Sequence, residues 1–347
     1  MHSGIFSTRR LSIKTMNEDK LLEIKNLTVS IKQEKEMMPV VKGISLEIPR
    51  RGIVGLVGES GCGKSMTAKS INHILPSFAK VTGGNMLWHE DSGEVCDFTL
   101  LNEKEIRGRC GTDVAMIFQE PMTSLNPMMC IGDQIKEVLQ IHKLEKNADR
   151  AKERVIEMLD AVGIAEPELR YKAWPHELSG GMRQRVMIAM AMIGSPKLLI
   201  ADEPTTALDV TTEAQILKLI RKMCDEYKMS AMVITHNMGV VSTLCDYVYV
   251  MYLGNIMEQA PTKELFKNPM HPYTKGLLSS IPRIGNNPEY LETIPGSIPV
   301  MKKQFKGCEF CLRCSDDIQK CFFEKAELKK VGPDHYVRCH VAGGEEE

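Results

Sequence analysis

The sequence contains no long apolar run. None approaches the ~18 residues that a helix needs to cross a bilayer, and the longest candidate, Val186 to Ile193, predicts only a short buried helical segment. Arg9, Arg10 and Lys14 lie near the N-terminus, but no apolar stretch of signal-peptide length follows them. We therefore expect residues 1–20 to form a flexible tail. We also expect the chain to be cytosolic, or to reach a membrane only through partners.

The sequence also lacks an excess of charge of either sign. Its 44 Lys and Arg residues and 45 Asp and Glu residues give a net charge of −1, which counts weakly against a nucleic acid as the main ligand. No internal repeat, long heptad run or low-complexity tract is present, apart from the acidic residues 345–347. The length of 347 residues predicts one large domain with an addition, or two domains.

The most informative segment reads Gly-Glu-Ser-Gly-Cys-Gly-Lys-Ser at residues 58–65, which matches Gly-x-x-x-x-Gly-Lys-Ser. The apolar residues 53–57 before it predict a central parallel strand, and a helix is expected from Met66 onward. In such a loop the backbone N–H groups and the helix N-terminus face a polyphosphate. Glycine-rich turns also occur without a nucleotide, but the Lys and Ser predict a nucleoside triphosphate. The predicted phosphate-binding residues are Gly58, Glu59, Ser60, Gly61, Cys62, Gly63, Lys64, Ser65 and Met66.

Alternating strands and helices predict an α/β fold. Residues 21–57 alternate apolar and polar side chains, which indicates an antiparallel sheet, and residues 131–162 have helical spacing. Further apolar runs predict buried strands at residues 114–118, 197–201, 231–235 and 247–251. This order favours a mostly parallel sheet with helices on both faces. Frequent prolines after about Gly254 indicate a separate extension with little regular structure.

Asp202 and Glu203 follow the apolar strand that begins near Leu198. An Asp at this place can hold Mg²⁺, together with the Ser65 hydroxyl, and the next Glu can polarise an attacking water molecule. Taken alone, an Asp-Glu pair after a strand is more often a solvated loop pair. Beside a phosphate loop, the catalytic interpretation is favoured.

Other motifs, in the right order, make the chain similar to the ATP-binding-cassette ATPases. Residues 178–182 read Leu-Ser-Gly-Gly-Met and resemble the family signature, in which Gln stands where Met182 stands here. The resemblance implies ATP and Mg²⁺ as ligands. It implies a glutamine loop at Gln119, which acts in catalysis and on Mg²⁺, a catalytic Glu203 and a His236 that contacts the γ-phosphate. The partner's ATP would be contacted by Ser179, Gly180, Gly181, Met182 and the loop residue Asp209.

This resemblance covers about residues 21–265 and implies a P-loop NTPase fold. The expected parts are a RecA-like core, an antiparallel β subdomain and a helical subdomain at about residues 120–180. Two such domains would pair head to tail, so that each signature helix closes the other's ATP site. One departure is Ile31, which stands where the family usually has an aromatic residue to stack on adenine.

Three longer segments, at residues 119–127, 178–185 and 271–278, resemble the ATP-binding subunits of dipeptide and oligopeptide importers. That family implies a second ATPase subunit, two transmembrane permeases that contact residues 119–179, and an extracytoplasmic peptide-binding protein. It implies a place at the cytoplasmic face of the inner membrane. Alternatives are an importer of nickel or another small solute, and a soluble cassette ATPase that acts on nucleic acid or ribosomes.

Five of the eleven cysteines lie within residues 308–339 of the expected extension, which spans residues 266–347. Four of them match the importer family's pattern, which implies a [4Fe–4S] cluster on Cys308, Cys314, Cys321 and Cys339. Spacing alone favours Cys311 as a ligand, because Cys308-x-x-Cys311-x-x-Cys314 resembles a ferredoxin run, with Cys321 or Cys339 as the fourth. A Cys₄ zinc site and free thiols are the alternatives.

Overall fold

The computed structural model describes residues 19–34, 36–280, 294–299 and 305–342. The predicted N-terminal tail, residues 1–20, lies outside the described residues except for Asp19 and Lys20. All five C-terminal cysteines are within them.

The described residues form two β-sheets. The strands are β1 (Lys20–Gln33), β2 (Glu36–Pro49), β3 (Ile53–Val57), β4 (Ala79–His89), β5 (Val95–Asp97), β6 (Val114–Ile117), β7 (Leu198–Asp202), β8 (Ser230–Thr235), β9 (Tyr247–Tyr252), β10 (Asn255–Pro261), β11 (Lys329–Gly332) and β12 (His335–Val337). An antiparallel sheet has the order β2-β1-β4-β5, and the core sheet has the order β11-β12-β10-β9-β3-β8-β7-β6. The core sheet is parallel from β6 to β9.

Helices connect the parallel strands, as crossover connections require. The α-helices of the described residues are α1 (Lys64–Ile71), α2 (Glu103–Arg109), α3 (Pro121–Ser124), α4 (Ile131–Ile141), α5 (Ala148–Ala161), α6 (Pro167–Arg170), α7 (Gly180–Met192), α8 (Val210–Tyr227), α9 (Met238–Leu244), α10 (Thr262–Lys267) and α11 (Pro272–Ser279). Within the described part of the chain, no helix is both long and apolar enough to cross a membrane.

The core sheet separates two clusters of buried apolar side chains. Successive residues of β3 alternate between them: Val57 belongs to the cluster shared with the helices α4, α5 and α7, and Leu56 to the cluster shared with the antiparallel sheet. All five residues of β3 are buried, as expected for a parallel strand covered on both faces. This confirms the predicted α/β fold, but helices alone do not cover both faces of the core sheet: the antiparallel sheet shares the second face with α1.

The parallel strands place the predicted site residues at one edge of the sheet. Val57, at the end of β3, pairs with Thr235 of β8, and Asp202, at the end of β7, pairs with Ile234. The segments that follow β3, β7 and β8 therefore meet where ligands of open α/β sheets usually bind.

Several element boundaries differ from the sequence prediction for local reasons. The helix after the phosphate loop begins at Lys64, before the predicted start at Met66. It ends at Ile71, because His73 has a left-handed backbone (φ 52°) and Pro76 follows. The helical region of residues 131–162 is two helices, separated where Lys143 has φ 54° and Asn147 caps α5.

The C-terminal segment continues the core sheet. β12 pairs with β10 through Glu258↔Val337 and Gln259↔Tyr336, and β11 completes a hairpin with β12. Within residues 305–342 there are also two one-turn 3₁₀ helices, Cys311–Arg313 and Gln319–Phe322. The division of the chain near residue 265 remains a prediction, but strands from both sides of it share one sheet.

Candidate active site

The loop between β3 and α1 depends on its glycines. Gly61 and Gly63 have left-handed backbones, with φ values of 79° and 111°, which glycine adopts at little cost. A Cβ atom on Gly58 would overlap the carbonyl oxygen of Met251. Ser60 and Gly61 are exposed at the tip of the loop, whereas Cys62 and Gly63 are buried. The glycine spacing thus corresponds to a tight backbone turn.

The Lys64 side chain lies inside this loop. Its Nζ donates hydrogen bonds to the carbonyl oxygens of Gly58 (2.7 Å) and Glu59 (2.9 Å). The same atom is 3.8 Å from the Cys62 sulfur, and burial raises the pKa of that thiol. A fixed ammonium group is therefore present beside a neutral thiol, in a position suited to anionic oxygens.

Ser65, the residue after Lys64, is hydrogen-bonded to Asp202. The Ser65 hydroxyl donates to Oδ1 of Asp202 at 3.2 Å. Asp202 is buried at the end of β7, and this burial raises the pKa of its carboxyl group. A hydroxyl and a carboxylate are the ligand types that Mg²⁺ prefers, so these residues fit the predicted magnesium site.

Three side chains meet at the Glu203 carboxylate. Gln119 Nε2 and Thr206 Oγ1 each donate to Oε2 at 2.9 Å, and His236 Nδ1 lies 3.0 Å from Oε1. Burial alone would raise the pKa of Glu203, but the hydrogen bonds to His236 and Thr206 outweigh it and lower the pKa below its ordinary value. Glu203 is therefore ionised at neutral pH.

The Glu203 backbone is also constrained. Its φ is 47°, a left-handed conformation that is uncommon for a residue other than glycine. Its N–H donates to the Ile234 carbonyl at 2.8 Å, which extends the β7–β8 pairing by one hydrogen bond. Such strain is frequent at functional sites, and here it accompanies the carboxylate that Gln119 and His236 contact.

The signature residues lie at a separate helix start. Ser179 is exposed and caps α7, its hydroxyl accepting from the Met182 N–H at 3.3 Å. Asp209 is exposed as well and caps α8, where it accepts from the N–H groups of Thr211 and Thr212. The hydrogen bonds of Ser179 and Asp209 are thus local to their helix starts. Among the hydrogen bonds of the described residues, none joins Ser179 or Asp209 to Lys64 or Glu203.

Two regions of the chain match known protein families. Residues 41–206 match the ABC transporter family. Residues 257–321 match the family described as the oligopeptide/dipeptide transporter, C-terminal region.

Relatives match most of the chain. The oligopeptide transport ATP-binding protein AppD of Bacillus subtilis is 46% identical over 321 residues, which cover 92% of this chain and 96% of the relative. The dipeptide transport ATP-binding protein DppD of the same organism is 45% identical over 305 residues, covering 87% of this chain and 89% of the relative. The chain belongs to the ATP-binding subunits of peptide ABC transporters. The subunit is therefore an ATPase, and ATP is its nucleotide.

Solved cassettes have the same fold. The dimeric ATP-binding cassette MJ0796 bound to ADP and Pi has a TM-score of 0.61 and 25% identity, and the match covers 70% of this chain and 99% of that one. CbiO1 of Clostridium perfringens, from the ABC transporter complex cbiONQ, has a TM-score of 0.60 and 28% identity, covering 72% of this chain and 92% of that one. These likenesses confirm the predicted P-loop NTPase fold of the subunit.

Three residues that contact the subunit's site were not predicted from the sequence: Thr206, Tyr273 and Arg313. Thr206 lies three residues after Glu203, so its contact could have been anticipated from a turn after β7. Tyr273 and Arg313 both bind Glu59 of the phosphate loop. They lie 214 and 254 residues away along the chain, and no local pattern signals such a contact.

The adenine position of the subunit remains without an aromatic contact on β1. Ile31 is partly exposed and pairs with Met38 of β2. Its other neighbour in the sheet is Ala79 of β4. The two residues that pair with Ile31 in the sheet are thus both apolar and not aromatic.

Backbone hydrogen bonds link four of the five C-terminal cysteines: Cys308, Cys311, Cys314 and Cys321. The Cys308 N–H donates to the Cys321 carbonyl at 2.7 Å, and the Cys311 and Cys314 N–H groups donate to the carbonyls of Cys308 and Cys311. Burial, with a smaller contribution from Cys321 and Cys311, raises the pKa of Cys308 to about 12.

These thiols do not form a ready metal site. Across residues 305–342, and in the rest of the described chain, no three His, Cys, Asp or Glu side chains are grouped so that they could hold a metal ion. The side chains as placed therefore fit neither of the predicted iron–sulfur sets, with or without Cys311, nor a Cys₄ zinc site.

Proposed function

We propose that this subunit hydrolyses ATP at a site it shares with a second ATPase subunit, and thereby drives peptide import. The observation that carries the proposal is the meeting of Gln119, Thr206 and His236 on the Glu203 carboxylate. Asp202 directly precedes Glu203 at the end of β7 and accepts a hydrogen bond from the Ser65 hydroxyl. Phosphoryl transfer requires this kind of arrangement, since its catalysis is mostly positioning and charge neutralisation.

We assign phosphate binding to residues 58–66, in which Lys64 supplies the positive charge. Its ammonium group now binds two backbone carbonyls and would exchange them for the β- and γ-phosphate oxygens. Ser65 and Asp202 would hold Mg²⁺, with Gln119 as a further ligand. The metal supplies charge neutralisation on the β- and γ-phosphates.

We assign proton acceptance to Glu203. In this step the water oxygen forms a bond to the γ-phosphorus, the bond to the bridging oxygen of ADP breaks, and Glu203 takes the proton of the water. The lowered pKa of Glu203 keeps it ionised and ready for that proton. Gln119 and His236 hold the carboxylate from two sides and would orient the water and the γ-phosphate.

The signature residues would act on the ATP of the second subunit. Ser179 and Asp209 are exposed and already hydrogen-bonded within their own helix starts, so Ser179, Gly180 and Gly181 can face a partner's phosphates. The α7 N-terminus would add its partial positive charge. Met182 packs against the core instead of offering a side-chain hydrogen bond.

The proposed cargo and partners follow from the family. Relatives over most of the chain are named for oligopeptide and dipeptide transport. We propose that two transmembrane permeases bind the helical subdomain and that an extracytoplasmic binding protein delivers peptides. The subunit would then lie at the cytoplasmic face of the membrane.

Reconstitution tests this proposal. The subunit, the second ATPase and the two permeases are purified together, placed in lipid vesicles and assayed for ATP hydrolysis with binding protein and either peptide or nickel. The proposal predicts stimulation by peptide. Stimulation by nickel alone, or hydrolysis that no solute affects, would contradict peptide import.

A second proposal concerns the cysteine-rich segment. By the family resemblance we propose that Cys308, Cys314, Cys321 and Cys339 bind a [4Fe–4S] cluster, with Cys311 as the competing ligand and zinc as the alternative metal. The backbone hydrogen bonds that link Cys308, Cys311, Cys314 and Cys321 support it. The present side-chain positions do not form such a site, so binding would require the thiols to turn.

Metal analysis of anaerobically purified protein decides between these possibilities. The proposal predicts iron together with the visible absorption of an iron–sulfur cluster, and loss of both in a Cys321→Ser variant. Stoichiometric zinc would overturn the cluster, and absence of both metals would leave five free thiols.

A further inference from the structure

A residue of the cysteine-rich segment binds the phosphate loop directly. Arg313 lies in the one-turn helix Cys311–Arg313. Its Nη1 donates to Oε2 of Glu59 at 2.7 Å, and its Nη2 donates to Oε1 at 3.1 Å. This is a two-point contact between a guanidinium and a carboxylate, the strongest common geometry for such a pair.

Groups other than Glu59 also hold the Arg313 guanidinium in place. Its Nε donates to the Pro295 carbonyl at 2.8 Å, and Nη2 donates to the Gly296 carbonyl at 3.3 Å. The Arg313 guanidinium also lies 5.8 Å from the ring centre of Tyr252. The Arg313 side chain is 5% exposed. These partners fix the orientation of the Arg313 guanidinium, which therefore differs from the mobile cation of a surface ion pair.

The same loop residue is held from a second direction. The Glu59 N–H donates to the Tyr273 hydroxyl at 2.9 Å. Tyr273 is fully buried and packs against Tyr252 and Phe310, with ring centres 4.8 Å and 5.3 Å away. Both the backbone and the side chain of Glu59 are therefore fixed by residues that follow the core cassette.

We propose that Arg313 is a positioning residue for ATP binding, which acts by holding and neutralising the Glu59 carboxylate. This inference rests on the proposed ATP site. Glu59 belongs to the loop that would surround the polyphosphate, so an unpaired carboxylate there would repel the phosphates. Arg313 removes that repulsion and keeps the carboxylate turned toward the C-terminal segment.

ATP binding and steady-state kinetics of the complete complex test this role. With Arg313→Gln, we expect ATP affinity to fall by about tenfold, within the range measured for coupled charged neighbours. The KM for ATP should rise by a similar factor, and kcat should change much less. Arg313→Lys should retain part of the affinity because it keeps the charge but loses the two-point geometry.

The reciprocal variant separates positioning from simple stabilisation. Adding Glu59→Gln to Arg313→Gln should recover most of the lost ATP affinity, because the repelling charge is gone. A structural role alone predicts no such recovery, since the hydrogen bonds of Arg313 would remain lost.

Arg338→Gln is the matched control. Arg338 is a partly buried residue of the same segment, and its guanidinium donates to the carbonyls of Ile256 and Ala326 at 2.9 Å and 3.1 Å. It makes no hydrogen bond to the phosphate loop. Its loss should lower the thermal stability while ATP affinity stays at the parent value.

The outcomes are distinguishable. Parent protein that fails to bind ATP would overturn the proposed function and this inference together. Parent protein that binds ATP while Arg313→Gln binds it equally well would overturn only the role of Arg313. Failure of both Arg313→Gln and the double variant to fold, or a double variant no better than the single one, would make Arg313 purely structural.

Discussion

The pKa values of two adjacent carboxyl groups at the end of β7 are shifted in opposite directions. Asp202 is buried beside the Ser65 hydroxyl, and burial raises its pKa. For Glu203 burial is outweighed by hydrogen bonds to His236 and Thr206, which lower its pKa. Environments that move the pKa values of two acids apart are typical of sites where the two acids have different roles. Here one would bind the metal and the other would accept a proton.

Replacing Glu203 with Gln tests the proton acceptor. The amide keeps the shape of the side chain but cannot take a proton from water. We expect kcat to fall by ~10²–10⁴-fold, the usual contribution of a general base, while ATP affinity stays near the parent value. Single-turnover hydrolysis and equilibrium ATP binding measure the two effects.

Glu226→Gln serves as the control for Glu203→Gln. Glu226 is exposed on α8 and lies 3.8 Å from the Lys222 ammonium group, and an exposed pair of this kind contributes little. Its turnover should match the parent. Near-parent turnover in Glu203→Gln would exclude Glu203 as the base.

The sequence predicted site residues that lie close together along the chain and contribute to one motif. Gly61, Gly63, Lys64 and Ser65 were predicted from the chemistry of one loop, and in the structure they lie at the turn from β3 into α1. Arg313 was not predictable, because its contact with Glu59 depends on how the C-terminal segment folds back.

At the scale of elements, α11 (Pro272–Ser279) shows how one buried residue fixes a helix start. His271 is its N-cap, and its Nδ1 accepts from the Tyr273 N–H at 3.0 Å. Burial lowers the pKa of His271 from 6.5 to about 3. The neutral ring is thus part of the structure that presents Tyr273 to the phosphate loop.

This pKa predicts a loss of stability in acid. Below pH 6.5 the unfolded chain protonates His271 while the folded chain does not, until the pH nears the folded value of about 3. The stabilisation present above pH 6.5 is therefore lost progressively between these two pH values. From pH 7.5 to 5.5 the free energy of unfolding should fall by about 1.4 kcal/mol from this residue. Urea unfolding at the two pH values measures it.

His271→Asn is the comparison for that measurement. Asn is also a good N-cap, but it does not titrate. The variant should therefore lose about 1.4 kcal/mol less than the parent over the same pH interval. An equal loss in both proteins would show that other groups cause the acid sensitivity.

The strands that could be predicted from the sequence are those with a clear run of apolar residues. β3, β7, β8 and β9 are short apolar runs and were found from the sequence. The hairpin of β11 and β12 was not, because strands of four and three residues carry little pattern. Only pairing with β10 makes them part of the sheet.

At the scale of the whole molecule, the predicted site residues form two separate groups. Lys64, Ser65, Asp202 and Glu203 lie at the strand ends of the core sheet, whereas Ser179 lies at the start of α7. The fold, with its two apolar clusters on the faces of the core sheet, could be predicted from the alternation of elements. The pairing of two cassettes was predicted only through the family resemblance and not from the pattern of elements, because it depends on surfaces of another chain.

Ser179→Ala tests the action of one subunit on the other's ATP. In the complete complex, hydrolysis at the partner's phosphate loop should fall at least about tenfold, since loss of one oriented donor commonly costs more than that. ATP affinity at this subunit's own loop should stay unchanged. Ser179→Thr, which keeps the hydroxyl and the cap, should remain close to the parent. Equal turnover for Ala and parent would remove Ser179 from the shared site.

The central claim is that this phosphate loop binds ATP alone but hydrolyses it only in a paired assembly. The direct test compares ATP binding and turnover per subunit for the purified chain at high dilution and for the chain joined with the second ATPase and the permeases. The account predicts ATP binding in both samples and a turnover that rises by at least about tenfold on assembly, as expected when oriented charges complete the site. Full turnover by the dilute single chain would contradict it.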